Sequence, residues 1–201
     1  EAAKDALTRA LAIDPDHHAA LSRIEDLTLL QQDYVGLEQT LERRLAIAQE
    51  PAERRSLMMR LARLREDLTG NDEGAAATYR AVLSETPSEP EALAGLRRIL
   101  ERAGLFEELE DVLRQQSELS DDPRTRLAAR RDRARVLWQK LDRDEDALQE
   151  LDQILRIDPN HTDALSQVRA LCDRPQSADL AVDLLVPFYR RTSRTRELAA
   201  V

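Results

Sequence analysis

Cysteine, glycine, lysine and aromatic residues are all scarce in this chain of 201 residues, and each scarcity excludes something. Cys172 stands alone, so no internal disulfide forms and no thiolate metal site can be assembled. Only five glycines are present, and none sits in a phosphate-cradling loop: "LTGNDEGA" (residues 68–75) lacks both the spacing and the lysine. One Trp, three Tyr and two Phe leave a core to be knitted from Leu and Ala, as in closely packed helix pairs. Basic charge is also short. The net charge of −9 counts against general nucleic-acid binding, which needs a basic footprint to displace counterions from phosphates. Lys4 and Lys140 are the only lysines; the remaining bases are arginine, a bias that a GC-rich coding sequence produces without functional meaning. No apolar run approaches the roughly 20 residues that cross a bilayer, and no signal-peptide pattern is seen. The chain opens at Glu1, without Met and inside a helical pattern, as expected of a piece of a longer, bacterial protein.

What is present is strongly helical. Leu, Ala, Arg and Glu dominate, and charges of both signs alternate along the chain, unlike a disordered segment. Pro15, Pro87 and Pro159 stand at equal intervals of 72 residues. The same step aligns Ala3, Ala75 and Ala147, then Leu11, Leu83 and Leu155, then Leu21, Leu93 and Leu165, and Leu41, Leu113 and Leu185. Within a unit these columns step by three or four residues, which is helical periodicity. The spacing predicts helices near 2–13, 17–31, 34–48, 53–68, 72–84, 89–103, 105–119, 125–141, 144–156, 161–172, 177–190 and 194–201. Short connections make neighbours antiparallel. Each unit divides again into steps of 34 and 38 residues, as Ala75 to Leu109 and Leu109 to Ala147, so two kinds of hairpin alternate.

The helix ends "AKDALTRALAIDP", "AAATYRAVLSETP" and "ALQELDQILRIDP" carry a small residue, a bulky one four on, a further residue, Leu and Pro. They read as Ala3, Leu7, Ala10, Leu11 and Pro15, then Ala75, Tyr79, Val82, Leu83 and Pro87, then Ala147, Leu151, Ile154, Leu155 and Pro159. With the 34-residue step, this pattern resembles the tetratricopeptide repeat over the whole chain. The resemblance implies an all-α, right-handed superhelical solenoid of antiparallel hairpins, here about five and a half of them in one continuous array over residues 1–201. The sequence departs from the family at Glu25, Arg97 and Arg169, where a small residue is usual, and at Leu21, Leu93 and Leu165, where Trp is usual. These departures and the 38-residue steps imply irregular helix spacing.

The joints between units repeat a phrase: "IDPDHHAAL" from Ile13, "ETPSEPEAL" from Glu85 and "IDPNHTDAL" from Ile157. Proline biases its predecessor out of helix. Asp16 and Asn160 are expected to cap the next helix, with Ser88 in the same column and Glu91 completing a capping box. On that reading His17, His18 and His161 are dispensable. They also make no metal site, because adjacent His17 and His18 diverge by about 100° on a helix. Cys172 is expected to pack as a buried residue, and Tyr34, Phe106 and Trp138 likewise. Gly95, inside a helix, is expected to serve a close contact. Pro187 is expected to kink its helix or begin a new one.

No pattern for an acid–base pair, a nucleophile or a metal stands out, so no enzyme and no cofactor is expected. The resemblance implies instead a protein–protein interaction scaffold whose first helices line a concave face. Carried over position by position, it implies that Asp26, Met59, Arg63, Arg98, Arg102 and Arg133 face that groove. Arginine binds carboxylates through a two-pronged fork, which suits an acidic segment of a protein partner; alternatively these arginines pair with neighbouring Asp and Glu. The Lys and Asn clamp of the chaperone-tail subset is missing, because its positions hold Ser22, Asp26, Ala94 and Arg98. Two other readings stay open: a docking segment of a multidomain enzyme, and a helical repeat that reads RNA.

Overall fold

A computed structural model describes residues 2–199, and the side chains of residues 6–199. Among them the chain forms helices and no strand. The helices are α1 (Ala2–Ile13), α2 (His18–Leu30), α3 (Tyr34–Ile47), α4 (Pro51–Leu64), α5 (Asp72–Glu85), α6 (Pro90–Ala103), α7 (Phe106–Leu119), α8 (Pro123–Lys140), α9 (Asp144–Ile157), α10 (Thr162–Cys172), α11 (Ala178–Arg191) and α12 (Thr195–Leu198). The expected spans agree within two residues except at α4, which ends at Leu64 short of the expected 68 and continues as a separate π turn, and at α12, which stops at Leu198; residues 200 and 201 lie outside the described residues. The side chain of Ala3, in the expected small-residue column, also lies outside them.

The chain packs as two compact units, residues 1–102 and 103–201. In the first, α2 packs on α3, α3 on α4 and α4 on α5. Leu37, Leu41, Leu57, Leu61 and Leu64 form one core cluster, and Leu11, Ala20, Leu21 and Ile24 another. In the second unit α8 lies against α7 and α9, and α10 against α11. Its core runs from Ala134 and Leu137 through Leu151 and Leu155 to Leu165, Leu185 and Tyr189. The repeat columns are therefore core columns. All three members of the Leu21 and Leu41 columns are buried, and Ala75 and Ala147 are fully enclosed where helices approach closely.

The turns from α2 to α3, α4 to α5, α6 to α7 and α8 to α9 each carry one residue with left-handed backbone: Gln32 (φ 55°), Gly70 (φ 66°), Gly104 (φ 71°) and Asp142 (φ 52°). These positions step by 38, 34 and 38 residues, the alternation seen in the sequence. Asp33 and Asn71 then cap α3 and α5, accepting hydrogen bonds from the Gly36 and Gly74 N–H groups at 3.0 and 2.9 Å. Before Gly70, α4 ends in a π-helical turn, Arg65–Thr69. Such a turn fits one extra residue and re-aims the side chains within it. Proline 187 sits inside α11, which runs through it as a single helix, so no new helix begins there.

The joints differ from expectation. The helix caps are His17 and His161, whose Nδ1 atoms accept from the Ala20 and Ala164 N–H groups at 3.2 Å. Asp16 and Asn160 do not cap. They lie inside a turn held by Asp14 and Asp158, whose carboxylates accept from the N–H of Asp16 and Asn160. That turn spends one residue more than a direct Pro-to-cap connection, which moves the cap column from 16, 88 and 160 to 17, 89 and 161. In the middle copy α6 begins at Pro90, so Glu89 and not Ser88 holds the cap position, and Glu91 is engaged by Arg63. His161→Ala is accordingly expected to lower the unfolding free energy by about 1 kcal/mol, whereas His161→Asn, which keeps an acceptor there, leaves it nearly unchanged. Urea denaturation of the two variants checks this; equal stability of His161→Ala and the parent chain would remove the histidine from the joint.

Candidate functional site

The sequence-derived site residues fall into both units. In the first unit Asp26 is exposed on α2 and lies 3.6 Å from Arg23 one turn earlier. Met59 is buried among the core residues of α4. Arg63 on α4 pairs with Glu91 on α6. Arg102 on α6 donates to Asp72 at 2.7 Å. Arg98, also on α6, donates two hydrogen bonds of 2.9 Å to the two oxygens of Glu66, as a fork grips a carboxylate. Arg133 belongs to the second unit, where it bridges Glu110 on α7 at 2.6 Å and Glu150 on α9 at 2.7 Å and is largely buried. Each of the four arginines thus already holds a carboxylate of a neighbouring helix.

Glu66 is the residue that sequence reasoning missed. It occupies the π turn that ends α4, and its side chain is 2% exposed. The Tyr79 hydroxyl donates to it at 2.8 Å, and Arg102 approaches to 3.9 Å. Burial pushes its pKa up, but the hydrogen bonds from Arg98 and Tyr79, with the charges of Arg98 and Arg102, more than offset this and hold it below the ordinary value. The Tyr79 phenol is pushed up, by burial first and then by its bond to the Glu66 carboxylate. Room for that ring comes from Gly95: a Cβ there would stand 2.3 Å from the Tyr79 Cζ. The close contact expected of Gly95 is therefore with Tyr79.

The exposed ends of this cluster are cationic. The side chains of Arg63, Arg98 and Arg102 are 50, 55 and 51% exposed, on two adjacent first helices of one unit. Farther along, Arg60 on α4 pairs with the buried Glu25 on α2. No group of three or more metal-ligating side chains occurs among the described residues, and no helix there is long and apolar enough to cross a membrane. Cys172 is half-buried, its thiol pKa is pushed up by burial, and its Sγ lies 3.5 Å from the Val168 carbonyl. It packs as a thiol.

Residues 92–127 match the family described as Tetratricopeptide repeat. Similar solved structures include YrrB, described as a TPR protein with an unusual peptide-binding site. It is 20% identical over 80% of this chain and 78% of its own, with a TM-score of 0.50. A tetratricopeptide repeat protein from Parabacteroides merdae ATCC 43184 is 14% identical over 90% of this chain and 75% of its own, with a TM-score of 0.53. No curated protein matches the chain. At those identities the structures share the fold alone. The repeat matched at residues 92–127 and the shared fold of tetratricopeptide repeat proteins bear out the resemblance read in the sequence. They support a protein–protein interaction module in general.

Proposed function

We propose that this array of tetratricopeptide repeats is a scaffold segment that holds an acidic stretch of a partner protein against first helices α4 and α6. Arg63 and Arg102 supply the contacts. The observation that carries the reading is the contrast among the arginine pairs. Arg63–Glu91 and Arg102–Asp72 are exposed at both ends, and such pairs are worth only about 0–1 kcal/mol. A carboxylate of the partner can take the place of Glu91 or Asp72 at small cost. Arg98 is committed to buried Glu66, and its role is to hold α6 against the π turn. Asp26 on α2 extends the same first-helix side with the opposite charge. Met59 lies beneath the surface and Arg133 is held by two carboxylates, so neither is assigned to the partner. The neighbour YrrB is described as binding peptide, which supports the class of ligand.

One continuous array is part of this reading. The 72-residue register runs on past residue 102, and the matched repeat at 92–127 covers that position.

The test uses a fluorescein-labelled peptide of Asp, Glu, Ser and Gly and measures anisotropy at low ionic strength. The double variant Arg63→Ala with Arg102→Ala is expected to bind about tenfold more weakly, since two charge-assisted contacts are lost. Helicity should be unchanged by circular dichroism. If the double variant holds the peptide as tightly as the parent chain, the arginine face is not the site.

A further inference from the structure

Helix α11 departs from its repeat equivalent on the side that faces outward. At the 72-residue step Leu180 stands where α7 has Glu108, Val186 where it has Arg114, and Pro187 where it has Gln115. Leu180 is 46% exposed. Leu180, Leu184 and Pro187 are spaced by four and three residues, so they share one stripe of the helix. They form one wall of a cleft of about 450 Å³ whose other wall is α9. Its floor is apolar, with buried Leu148 and Phe188. One exposed leucine carries no message. An apolar stripe lining a concavity does, because contiguous exposed apolar surface marks an interaction site.

The charge around the cleft selects the occupant. Glu145 and Asp152 on α9 and Asp183 on α11 border it. Two arginines also border it: Arg156 pairs with Asp152 at 2.7 Å, and Arg191 lies over the Phe188 ring at 5.9 Å and keeps its charge, so three carboxylates face two cations. Glu145 and Asp183 make no ion pair among the described residues. Pro187 adds to this, since it has no N–H to give the Asp183 carbonyl. The cleft is thus apolar inside, with a margin of small net negative charge that offers Glu145 and Asp183 to a cationic partner.

We propose that the α9–α11 cleft is a docking groove for a basic amphipathic helix of a partner protein. An apolar stripe of that helix seats on Leu180, Leu184 and Pro187, and lysines or arginines on its flank reach Glu145 and Asp183. This is the helix-in-groove mode of recognition. A second copy of this chain fits less well, because each copy carries a net charge of −9. The groove is separate from the arginine face of α4 and α6 and takes a ligand of opposite charge.

The probe is a labelled amphipathic helix built only of leucine and lysine, titrated with the full chain and followed by anisotropy. Saturable binding is expected. Leu180→Glu is expected to weaken it about fivefold or more, although it makes the protein more acidic, because the apolar seat is lost. Asp183→Lys is expected to weaken it about tenfold. Glu118→Lys, on exposed α7 surface, should change it by less than about twofold. Circular dichroism confirms that each variant is folded. The proposal is overturned if the parent chain does not bind the probe, if Leu180→Glu binds as tightly or more tightly, or if Glu118→Lys loses as much as Asp183→Lys. The last two outcomes mean attraction by net charge. Sedimentation velocity supplies a further check: a dimer of the parent chain abolished by Leu180→Glu would assign the cleft to a second copy and sink the partner-helix reading.

Discussion

Gly95→Ala is expected to lower the unfolding free energy by about 2–4 kcal/mol, combining overpacking of a filled site with strain on a charge-assisted hydrogen bond. Helix propensity alone points the other way, since alanine inside a helix is favoured over glycine by about 1 kcal/mol. Geometry decides the sign. An added Cβ meets the Tyr79 Cζ at 2.3 Å, Cε2 at 2.4 Å and hydroxyl at 2.7 Å. Tyr79 is among the fully buried side chains, so its ring has nowhere open to go. Turning it away breaks its bond to Glu66; keeping it forces α6 outward, which loosens the grip of Arg98 on the same carboxylate. Urea denaturation measures the loss, and a double-mutant cycle identifies its cause. Tyr79→Leu removes the ring, so Gly95→Ala should cost far less in that background than alone. A stabilised Gly95→Ala single variant, or strict additivity in the cycle, would show that the ring and the helix do not compete for that space.

The architecture was legible because repeats leave the same residue types in the same columns. The proline step and the leucine columns predicted the helices and their buried faces without any knowledge of contacts. The joints were read one residue out of place. Asp16, Ser88 and Asn160 are favoured capping types, which is why residue type alone points to them. The structure spends those residues in a turn closed by Asp14 and Asp158, and histidine, a less usual cap, takes the next place. The partners of the arginines were not legible at all. Arg98 and Glu66 lie 32 residues apart, on helices that meet only through packing. A π turn further shifts Glu66 out of the register that helical periodicity assumes. Tyr79 was readable as core from its column, but nothing in a one-dimensional pattern says where its hydroxyl ends. The apolar stripe of α11 is visible on aligning Leu180 with Glu108 and Pro187 with Gln115; it takes the cleft beside α9 to give that substitution pattern a meaning.

Arg98→Ala should destabilise the chain by about 2–3 kcal/mol at neutral pH, because it leaves a buried carboxylate without its forked partner. Breaking a fully buried pair costs more, but Arg98 is half-exposed, so water and Arg102, already 3.9 Å away, recover part of the loss. The pH dependence distinguishes this cause from lost packing. In the parent chain Glu66 has its pKa held below the unfolded value. Its contribution to stability is therefore fully present above the unfolded carboxylate range and is lost as pH falls through the lower, folded value. Without Arg98 the hydrogen bonds and charge that most hold the pKa down are gone, while burial still pushes it up, so the folded pKa rises from its held-down position. Glu66 then contributes less at neutral pH than in the parent chain, and less is left to lose as pH falls. Other carboxylates titrate alike in both proteins and cancel in the difference. The stability gap between parent and variant should accordingly shrink on going from about pH 7 to about pH 4. Replacing Glu66 with Gln in the Arg98→Ala background should abolish that shrinkage, because the titrating group is gone. A gap that stays constant across this range would mean that Arg98 acts through its aliphatic stem. Reversing Arg98 would thus mimic a binding defect by loosening α6, which is why the peptide test rests on Arg63 and Arg102, whose removal strips charge from the surface and leaves Glu66 satisfied by Arg98.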